Sequence, residues 1–400
     1  MLQDFYIVAL SDVDDFLQNN QLCAKFSLFA ALSMQKSLDV IIPSFRVNES
    51  DLLPILSLKG PPDFDINFII IADNPLIKVP ASIESLALQG RIKLIVNEVN
   101  LGFSETRNKG LNAAESDWIL LLDDDIVTEK DMLQVFCDAI RLNPEYIGYI
   151  GVTNFPPPIN RVTKAFTLNT GGQYNVGRFK KEHVWFPTAN IALNRKRLGD
   201  RRFLKHLTKG GEDIEFFSRN SFENGEKYIA LPDATVIHPW WSNGKSQLKR
   251  MFNYGWGTSD IIELKLIKTY TFYNFPSTPE TIFFLLLLAV FIIPITGTWI
   301  WVPVFISIFL FAEYLTNLIK SVIFDKSFSP LVALQMMLHK NANELGYLCG
   351  CLFNRKFSSL TKRLDVGFNK PNPSPYRFNK WKIIKLLLIL GGLALYVSSN

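Results

Sequence analysis

Three consecutive aspartates, Asp123 to Asp125, directly follow the apolar run Trp118–Leu122. Adjacent carboxylates repel one another and aspartate is unfavourable in strands, so the sequence needs a reason to place them there. A divalent cation held by their oxygens would offset the repulsion and could neutralise charge on a departing phosphate. Considered alone, the triplet is explained better by a turn, or by an N-cap of the predicted helix Thr128–Ile140.

Two later features add titratable groups. Glu212 and Asp213 follow a pair of glycines at the predicted start of a helix, where the helix dipole favours negative charge. Asp213 could act there as a general base, although a capped helix start with acidic residues is an equally good explanation. His238 ends a short apolar strand pattern and could ligate a metal near carboxylates, whereas an isolated histidine is more often structural.

The elements that must position these residues alternate between strands and helices. Strand patterns cover Leu38–Phe45, Ile66–Asn74, Ile92–Glu98 and the run before Asp123, and a helical pattern covers residues 103–116. This alternation predicts an α/β fold with a mostly parallel sheet and helices on both faces. In such sheets, ligands bind beyond the carboxyl ends of the strands. The polar strand ends should therefore meet at one edge; they are Pro43, Ser44, Asp73, Asn74 and the aspartate triplet.

The C-terminal third is expected to lie in a membrane. Residues 281–312 contain no charged residue and are interrupted at residues 294–298, which predicts a hairpin of two spans. Residues 383–397 predict a third, shorter span. The intervening segment is strongly basic, so the positive-inside rule places it, and the catalytic region, on the cytoplasmic side. A very apolar hairpin in a soluble core is the alternative.

Composition agrees with this division. The 400 residues are 48% hydrophobic with 32 Phe, and the mean hydropathy is +0.13, which is high for a purely soluble chain. A net charge of +5 is too small to indicate a nucleic-acid partner. No secretory signal is expected in the acidic start of the chain. The expected organisation is a segment of unknown role (1–37), a catalytic domain (38–240), an amphipathic interfacial segment (241–280), a transmembrane hairpin (281–320), a basic cytoplasmic loop (321–382), and a third helix with a tail (383–400).

Seven short motifs between Val40 and His238 make this sequence resemble glycosyltransferase family 2, the inverting enzymes of the GT-A fold. They are VIIPSFR, IIIADNP, NLGFSETRNKGL, WILLLDDD, FPTANIALNRKRL, GEDIEF and VIHP. Each motif is weak alone, but their shared order and spacing are specific. One departure occurs at Pro75 and Leu76, where the family pattern has Gly-Ser.

The resemblance implies a GT-A nucleotide-sugar-binding domain that transfers a sugar from a nucleotide-diphosphate donor with inversion. Asp213 would deprotonate the acceptor hydroxyl in a single displacement, with Glu212 beside it in the catalytic motif. The implied donor-binding residues are Pro43, Ser44, Asp73, Asn100, Arg107, Asp123 and Asp124. The implied ligands of Mg²⁺ or Mn²⁺ are Asp123, Asp125 and His238.

The segment Gln247–Gly257 is similar to the Gln-x-x-Arg-Trp motif of processive synthases, but Met251 stands where that motif has tryptophan. The missing tryptophan and only three spans favour addition of one or a few sugars to a lipid or glycan acceptor. Asn190, Gln247 and Arg250 are expected on the acceptor side, while an interfacial helix is an alternative explanation for this segment. The competing functions are a processive polysaccharide synthase, a nucleotidyltransferase and an inactive membrane scaffold.

Overall fold

A computed structural model describes residues 36–128, 131–169, 174 and 176–399. The segment of unknown role expected at residues 1–37 therefore lies almost entirely outside the described residues. The first strand begins at Lys36, close to the expected start of the catalytic domain.

Nine strands of the described chain form one mixed sheet, in the order β3-β2-β1-β4-β8-β6-β9-β5 with β7 beside β9. Six strands run in one direction, and β5, β7 and β8 run against them, which confirms the mostly parallel sheet. The strands are β1 (Lys36–Ser44), β2 (Phe64–Ala72), β3 (Ile92–Val96), β4 (Trp118–Leu122), β5 (Val127–Thr128), β6 (Gly148–Asn154), β7 (Glu182–His183), β8 (Asn190–Asn194) and β9 (Tyr228–Ile237).

Helices cover both faces of this sheet because successive residues of each strand point to opposite sides. Val40 and Ile42 of β1 belong to one buried apolar cluster, whereas Ile41 between them belongs to the cluster on the other face. The helices up to the membrane region are α1 (Glu49–Leu56), α2 (Ala81–Leu88), α3 (Gly102–Ala113), α4 (Met132–Leu142), α5 (Arg161–Asn169), α6 (Arg195–Leu198), α7 (Glu212–Asn224), α8 (Leu248–Ile261) and α9 (Lys265–Lys268).

The C-terminal region is mostly helical. Its elements are β10 (Thr271–Tyr273), α10 (Thr278–Thr296), α11 (Trp301–Asp325), α12 (Pro330–Phe353), β11 (Lys362–Leu364) and α13 (Lys380–Ser398). Among the described residues, α10, α11 and α13 are long and apolar enough to cross a membrane. The break between α10 and α11 falls at Gly297, whose φ of 68° ends α10 in a left-handed conformation that glycine adopts readily.

The stretch expected to be a basic loop contains the 24-residue helix α12, which packs closely on α8. Glycines make this approach possible. A Cβ atom at Gly255 would overlap the carbonyl oxygen of Asn343, and one at Gly346 would overlap that of Phe252. The loop was predicted from its basic residues. Such residues indicate on which side of the membrane a segment lies, but they do not indicate its secondary structure. Helix α12 thus connects the catalytic domain to the apolar helices.

Candidate active site

The aspartate triplet lies at the carboxyl edge of the sheet, directly after β4 and beside the end of β1. The Ser44 hydroxyl donates to Asp124 Oδ2 at 2.6 Å and accepts from the Val47 amide at 2.9 Å. Arg46 donates to Asp124 Oδ1 at 3.0 Å and to Asp125 Oδ2 at 2.8 Å. Asp124 is therefore held from both sides. Arg46 was not anticipated as a site residue, because an arginine in a turn after a strand carries no distinctive pattern.

His238 faces the two outer aspartates of the triplet. Its Nε2 atom lies 3.8 Å from Asp123 Oδ2 and 3.4 Å from Asp125 Oδ1. Its Nδ1 atom lies 2.7 Å from the Pro239 carbonyl oxygen, which can only accept a hydrogen bond. In the neutral ring this contact places the proton on Nδ1 and leaves the Nε2 lone pair facing the carboxylates.

These three side chains suit Mg²⁺ or Mn²⁺ in their chemistry, since they offer carboxylate oxygens and an imidazole nitrogen. Ligands about 2.1 Å from one ion lie roughly 3–4 Å from each other, and His238 Nε2 lies at such distances from an oxygen of each outer aspartate. Within the described residues, however, no group of three His, Cys, Asp or Glu side chains is already arranged to hold a metal. Burial raises the pKa of Asp123, and the charges of His238 and Arg107 oppose that effect. The metal site therefore stays a prediction.

The second acidic group lies at the start of α7. The backbone turns into this helix through Gly210 and Gly211, whose φ angles of 126° and 83° favour glycine. Glu212 accepts a hydrogen bond from Arg107 Nη1 at 3.1 Å, and both side chains are nearly buried. Arg107 also interacts electrostatically with Asp123, so one cation serves both acidic groups.

The environment of Asp213 suits a general base. Burial raises the pKa of its carboxyl group to about 7, and the neighbouring charge of Glu212 acts in the same direction. The Ile214 amide, which donates to Asp213 Oδ1 at 2.7 Å, and the Arg107 charge oppose the increase. A base whose pKa lies near neutral pH is both available and effective as a proton acceptor.

Helix α8 packs directly against this turn and brings Tyr254 to the acidic pair. A Cβ atom at Gly210 would lie 3.3 Å from Tyr254 Cδ1, and one at Gly257 would overlap the Gly210 carbonyl oxygen. Burial and the nearby charges of Asp213 and Glu212 raise the pKa of Tyr254, while the Arg250 charge opposes this. Sequence reasoning missed Tyr254, although the Arg-x-x-x-Tyr-Gly pattern of the segment was a usable signal.

Arg250 links α8 to the histidine side of the site. Its guanidinium carbon lies 4.4 Å from the centre of the Trp241 ring, which in turn lies 5.6 Å from the His238 ring. Its Nε atom donates to Gln247 Oε1 at 3.2 Å, and Nη1 donates to the Tyr254 hydroxyl at 3.4 Å. Gln247 and Arg250 therefore lie together near the candidate base and the candidate metal ligands, and Trp241 is a further residue that sequence reasoning missed.

Both carboxylate oxygens of Asp73 accept hydrogen bonds from other groups of the protein. Its carboxylate accepts hydrogen bonds from Asn97 Nδ2 and from the amides of Leu101 and Gly102, each at 2.8 Å. The Gly102 amide also donates to Asn100 Oδ1 at 3.0 Å. Asp73 thus fixes the start of α3, the helix that carries Arg107. Its contact with a nucleotide base stays a prediction.

Two predicted residues lie in the sheet. Asn190 is opposite Leu122 at the start of β8, is fully buried, and donates from Nδ2 to the Ala234 carbonyl at 2.8 Å. Pro43 lies in β1 opposite Ile71. The structure does not bring Asn190 to an open surface, and the acceptor-side role assigned to it stays a prediction.

A mostly parallel sheet with acidic side chains gathered at its carboxyl edge agrees with the GT-A fold expected from the sequence. Residues 39–208 match the family described as glycosyl transferase family 2. The matched region covers less than half of the chain, and it supports the family and the class of enzyme expected from the sequence.

A curated relative is an uncharacterized glycosyltransferase of Haemophilus influenzae, which is 28% identical over 133 residues. The match covers 33% of this chain and 43% of the relative, so it spans less than half the length of that protein.

Three solved structures are similar at low sequence identity. The mannosyltransferase PcManGT from Pyrobaculum calidifontis, in complex with GDP-Man and Mn²⁺, has a TM-score of 0.45 and 13% identity, covering 78% of this chain and 86% of that one. GalNAc-T7 with UDP, GalNAc and Mn²⁺ has a TM-score of 0.42 and 16% identity, covering 59% and 49%. S. aureus TarS has a TM-score of 0.37 and 16% identity, covering 57% and 40%. All three scores are below 0.5, so the assignment rests on the family match and the sequence relative.

Proposed function

We propose that this chain is a membrane-attached inverting glycosyltransferase that moves a sugar from a nucleotide-diphosphate donor to a lipid or glycan acceptor. The observation that carries the proposal is the environment of Asp213, whose pKa of about 7 suits a general base. Arg107 lies between this base region and the triplet, pairing with Glu212 and interacting with Asp123. Glycosyl transfer needs a proton acceptor beside a region that binds the donor diphosphate.

In the proposed reaction, Asp213 takes the proton of the acceptor hydroxyl. The acceptor oxygen forms a bond to the anomeric carbon while the bond from that carbon to the diphosphate oxygen breaks on the opposite face. Arg107 offers positive charge near the diphosphate, and its ion pair with Glu212 fixes the guanidinium in position. Mg²⁺ or Mn²⁺, when bound by Asp123, Asp125 and His238, would supply Lewis-acid stabilisation of the leaving group.

Addition of one or a few sugars is favoured over processive synthesis. Met251, which replaces the tryptophan of the processive motif, is only 4% exposed and packs in an apolar cluster with Trp240 and Phe166. A residue buried in this way does not line a channel for a polymer. We further propose that α10, α11 and α13 cross the membrane and that the basic residues of 321–382 hold the catalytic domain on the cytoplasmic side.

The test uses the purified full chain in lipid nanodiscs, supplied with Mn²⁺, a panel of nucleotide sugars and a membrane-lipid extract as acceptor. We expect one donor class to release nucleoside diphosphate only when acceptor is present, and mass spectrometry to find products extended by one or a few sugars. Long polymer would establish the processive alternative. Failure of every donor to react, in a preparation that binds nucleotide sugars, would contradict transferase activity of the whole chain.

A further inference from the structure

A buried ionic network joins the three candidate membrane helices to α12. Glu313 of α11 is 1% exposed and accepts from Lys340 Nζ at 2.8 Å and Lys385 Nζ at 2.6 Å. Lys340 of α12 also pairs with Glu344 at 2.9 Å. Lys385 of α13 donates to Thr278 Oγ1 of α10 at 2.5 Å. Both carboxylate oxygens of Glu313 are therefore occupied by lysines from two different helices.

Two further lysines beside this network form no close ion pair with an acidic side chain of the described residues. Lys320 donates to the neutral side chain of Asn169 at 3.0 Å and interacts electrostatically with Lys340 and, attractively, with Glu313. Lys382 lies within electrostatic range of Glu344, which attracts it, and of Lys340 and Lys385, which repel it. Both are half-buried, and no carboxylate of the described residues lies within 4.0 Å of either ammonium group.

The charge of this region is unbalanced. We define the lysine cluster as Lys320, Lys340, Lys382, Lys385, Glu313 and Glu344, in which four lysines face two glutamates. The adjacent Arg363 does not contribute a counter-charge, because it is positive and already pairs with Glu280 at 2.7 Å. Partly buried charges without full compensation are costly, so an anion from outside the described residues would offset the excess positive charge.

The position of the lysine cluster identifies where that anion comes from. It lies where α10 and α13 begin and along the second half of α11, so all three apolar helices leave the catalytic domain near this level. Trp381 and Phe324 pack against each other at 5.6 Å beside it, and tryptophan favours the boundary between headgroups and acyl chains. The apolar surface of α13 continues away from the cluster through exposed leucines such as Leu387.

We propose that the lysine cluster binds the phosphate headgroup of an anionic membrane lipid. Lysine ammonium groups bind phosphate as point charges, and basic pockets between membrane helices suit such headgroups. The acyl chains would lie along the exposed apolar faces of α11 and α13. This site is separate from the aspartate triplet, and its occupancy does not depend on the proposed sugar transfer.

The experiment measures lipid binding by the full chain, using native mass spectrometry with phosphatidylglycerol and phosphatidylcholine. We expect phosphatidylglycerol to bind preferentially, Lys382→Gln to weaken its binding about fivefold, and Lys382→Arg to retain it. Lys380→Gln is the matched control, because it removes the same charge from an exposed position two residues away and should change binding less than about twofold. Lys320→Gln provides an independent variant if Lys382→Gln does not fold in phosphatidylcholine.

A second arm adds inorganic phosphate to the protein in phosphatidylcholine nanodiscs and follows thermal unfolding. Phosphatidylglycerol should raise the unfolding temperature, and millimolar phosphate without it should raise it much less. Equal stabilisation by free phosphate would show that the ligand is a soluble anion and would overturn the lipid assignment. Equal binding of the two lipids would show no preference for an anionic headgroup and would overturn the proposal. An equal loss in the Lys380 and Lys382 variants would reduce the effect to general surface charge and would also overturn it.

Discussion

Replacing Asp213 by Asn removes a carboxylate whose ionisation the folded protein opposes. The pKa of this group is about 7 instead of 3.8, with burial as the main cause. Each pKa unit corresponds to about 1.4 kcal/mol, so ionised Asp213 costs the folded state at most about 4 kcal/mol. Asparagine keeps an oxygen that can accept from the Ile214 amide and carries no charge, so it avoids this cost.

The cost depends on pH in a defined direction. Because the folded-state pKa is raised, the native carboxyl group holds its proton at pH values where the unfolded chain has lost it. The free energy of unfolding of the wild type therefore falls as pH rises from about 4 to about 7, and the full cost applies above that range. Asp213→Asn should be more stable than the wild type by up to about 4 kcal/mol at pH 8, and equally stable near pH 4.

The same substitution should remove the base. Proton transfer by a positioned side chain contributes about 10²- to 10⁴-fold in rate, so Asp213→Asn should lose activity by about that factor at pH 8. In the wild type, kcat/KM should rise as pH increases through about 7, because Asp213 must be ionised in the free enzyme to accept a proton. Donor binding should change little, since Arg107 and the triplet are untouched.

The assay combines denaturant unfolding at a series of pH values with transfer rates and donor affinity in nanodiscs. Asp233→Asn is the matched control, because it makes the same chemical change at an exposed position on β9. A gain in stability at high pH together with loss of transfer is the expected combination. Wild-type transfer rates in Asp213→Asn would refute the base assignment, and identical pH dependence of unfolding in the two proteins would refute the burial argument.

Two further substitutions test other parts of the site. Gly257→Ala places a methyl group on the Gly210 carbonyl oxygen and should destabilise the protein by about 1–3 kcal/mol in denaturant unfolding, whereas Gly391→Ala, with open space at its Cβ, should have little effect. If the denaturant midpoint of Gly257→Ala equals that of the wild type, α8 can move away from Gly210 without loss of stability. His238→Gln should lower the Mn²⁺ affinity measured by thermal shift at least about tenfold, while exposed His206→Gln should not. Equal affinity in both variants would exclude His238 as a ligand.

Sequence reasoning found those parts of the site that follow from strand ends. The contact between Ser44 and Asp124 joins the ends of β1 and β4, as expected for parallel strands whose carboxyl ends share an edge. The proximity of Asp213 to Arg107 depends on contacts between α3 and α7, two helices that are separated by roughly a hundred residues of sequence. Local patterns carry no such information, so only the resemblance to a family suggested that these residues act together.

Other features depend on tertiary packing that no local pattern specifies. In the sequence, Arg46 looks like an ordinary surface arginine. It becomes a site residue only because the fold places the aspartate triplet beside it. Asp73 looks like a free carboxylate at a strand end, yet neighbouring amides occupy it. In the sequence, the glycines of α8 and α12 look destabilising for a helix. In the structure, they are the positions where the two helix backbones contact each other.

These glycine contacts make the membrane-proximal region part of the catalytic unit. Lys340 of α12 pairs with Glu313 of the apolar helix α11, and Asn343, almost one turn further along α12, donates to the Met251 carbonyl of α8 at 3.2 Å. One turn beyond Met251, Tyr254 packs on Gly210 at the entrance to the helix that carries Asp213. Because backbone atoms touch at these crossings, α12 cannot shift without moving α8 or opening a gap. The position of the candidate base therefore depends on the packing of helices that the sequence alone assigned to an interfacial segment and a loop.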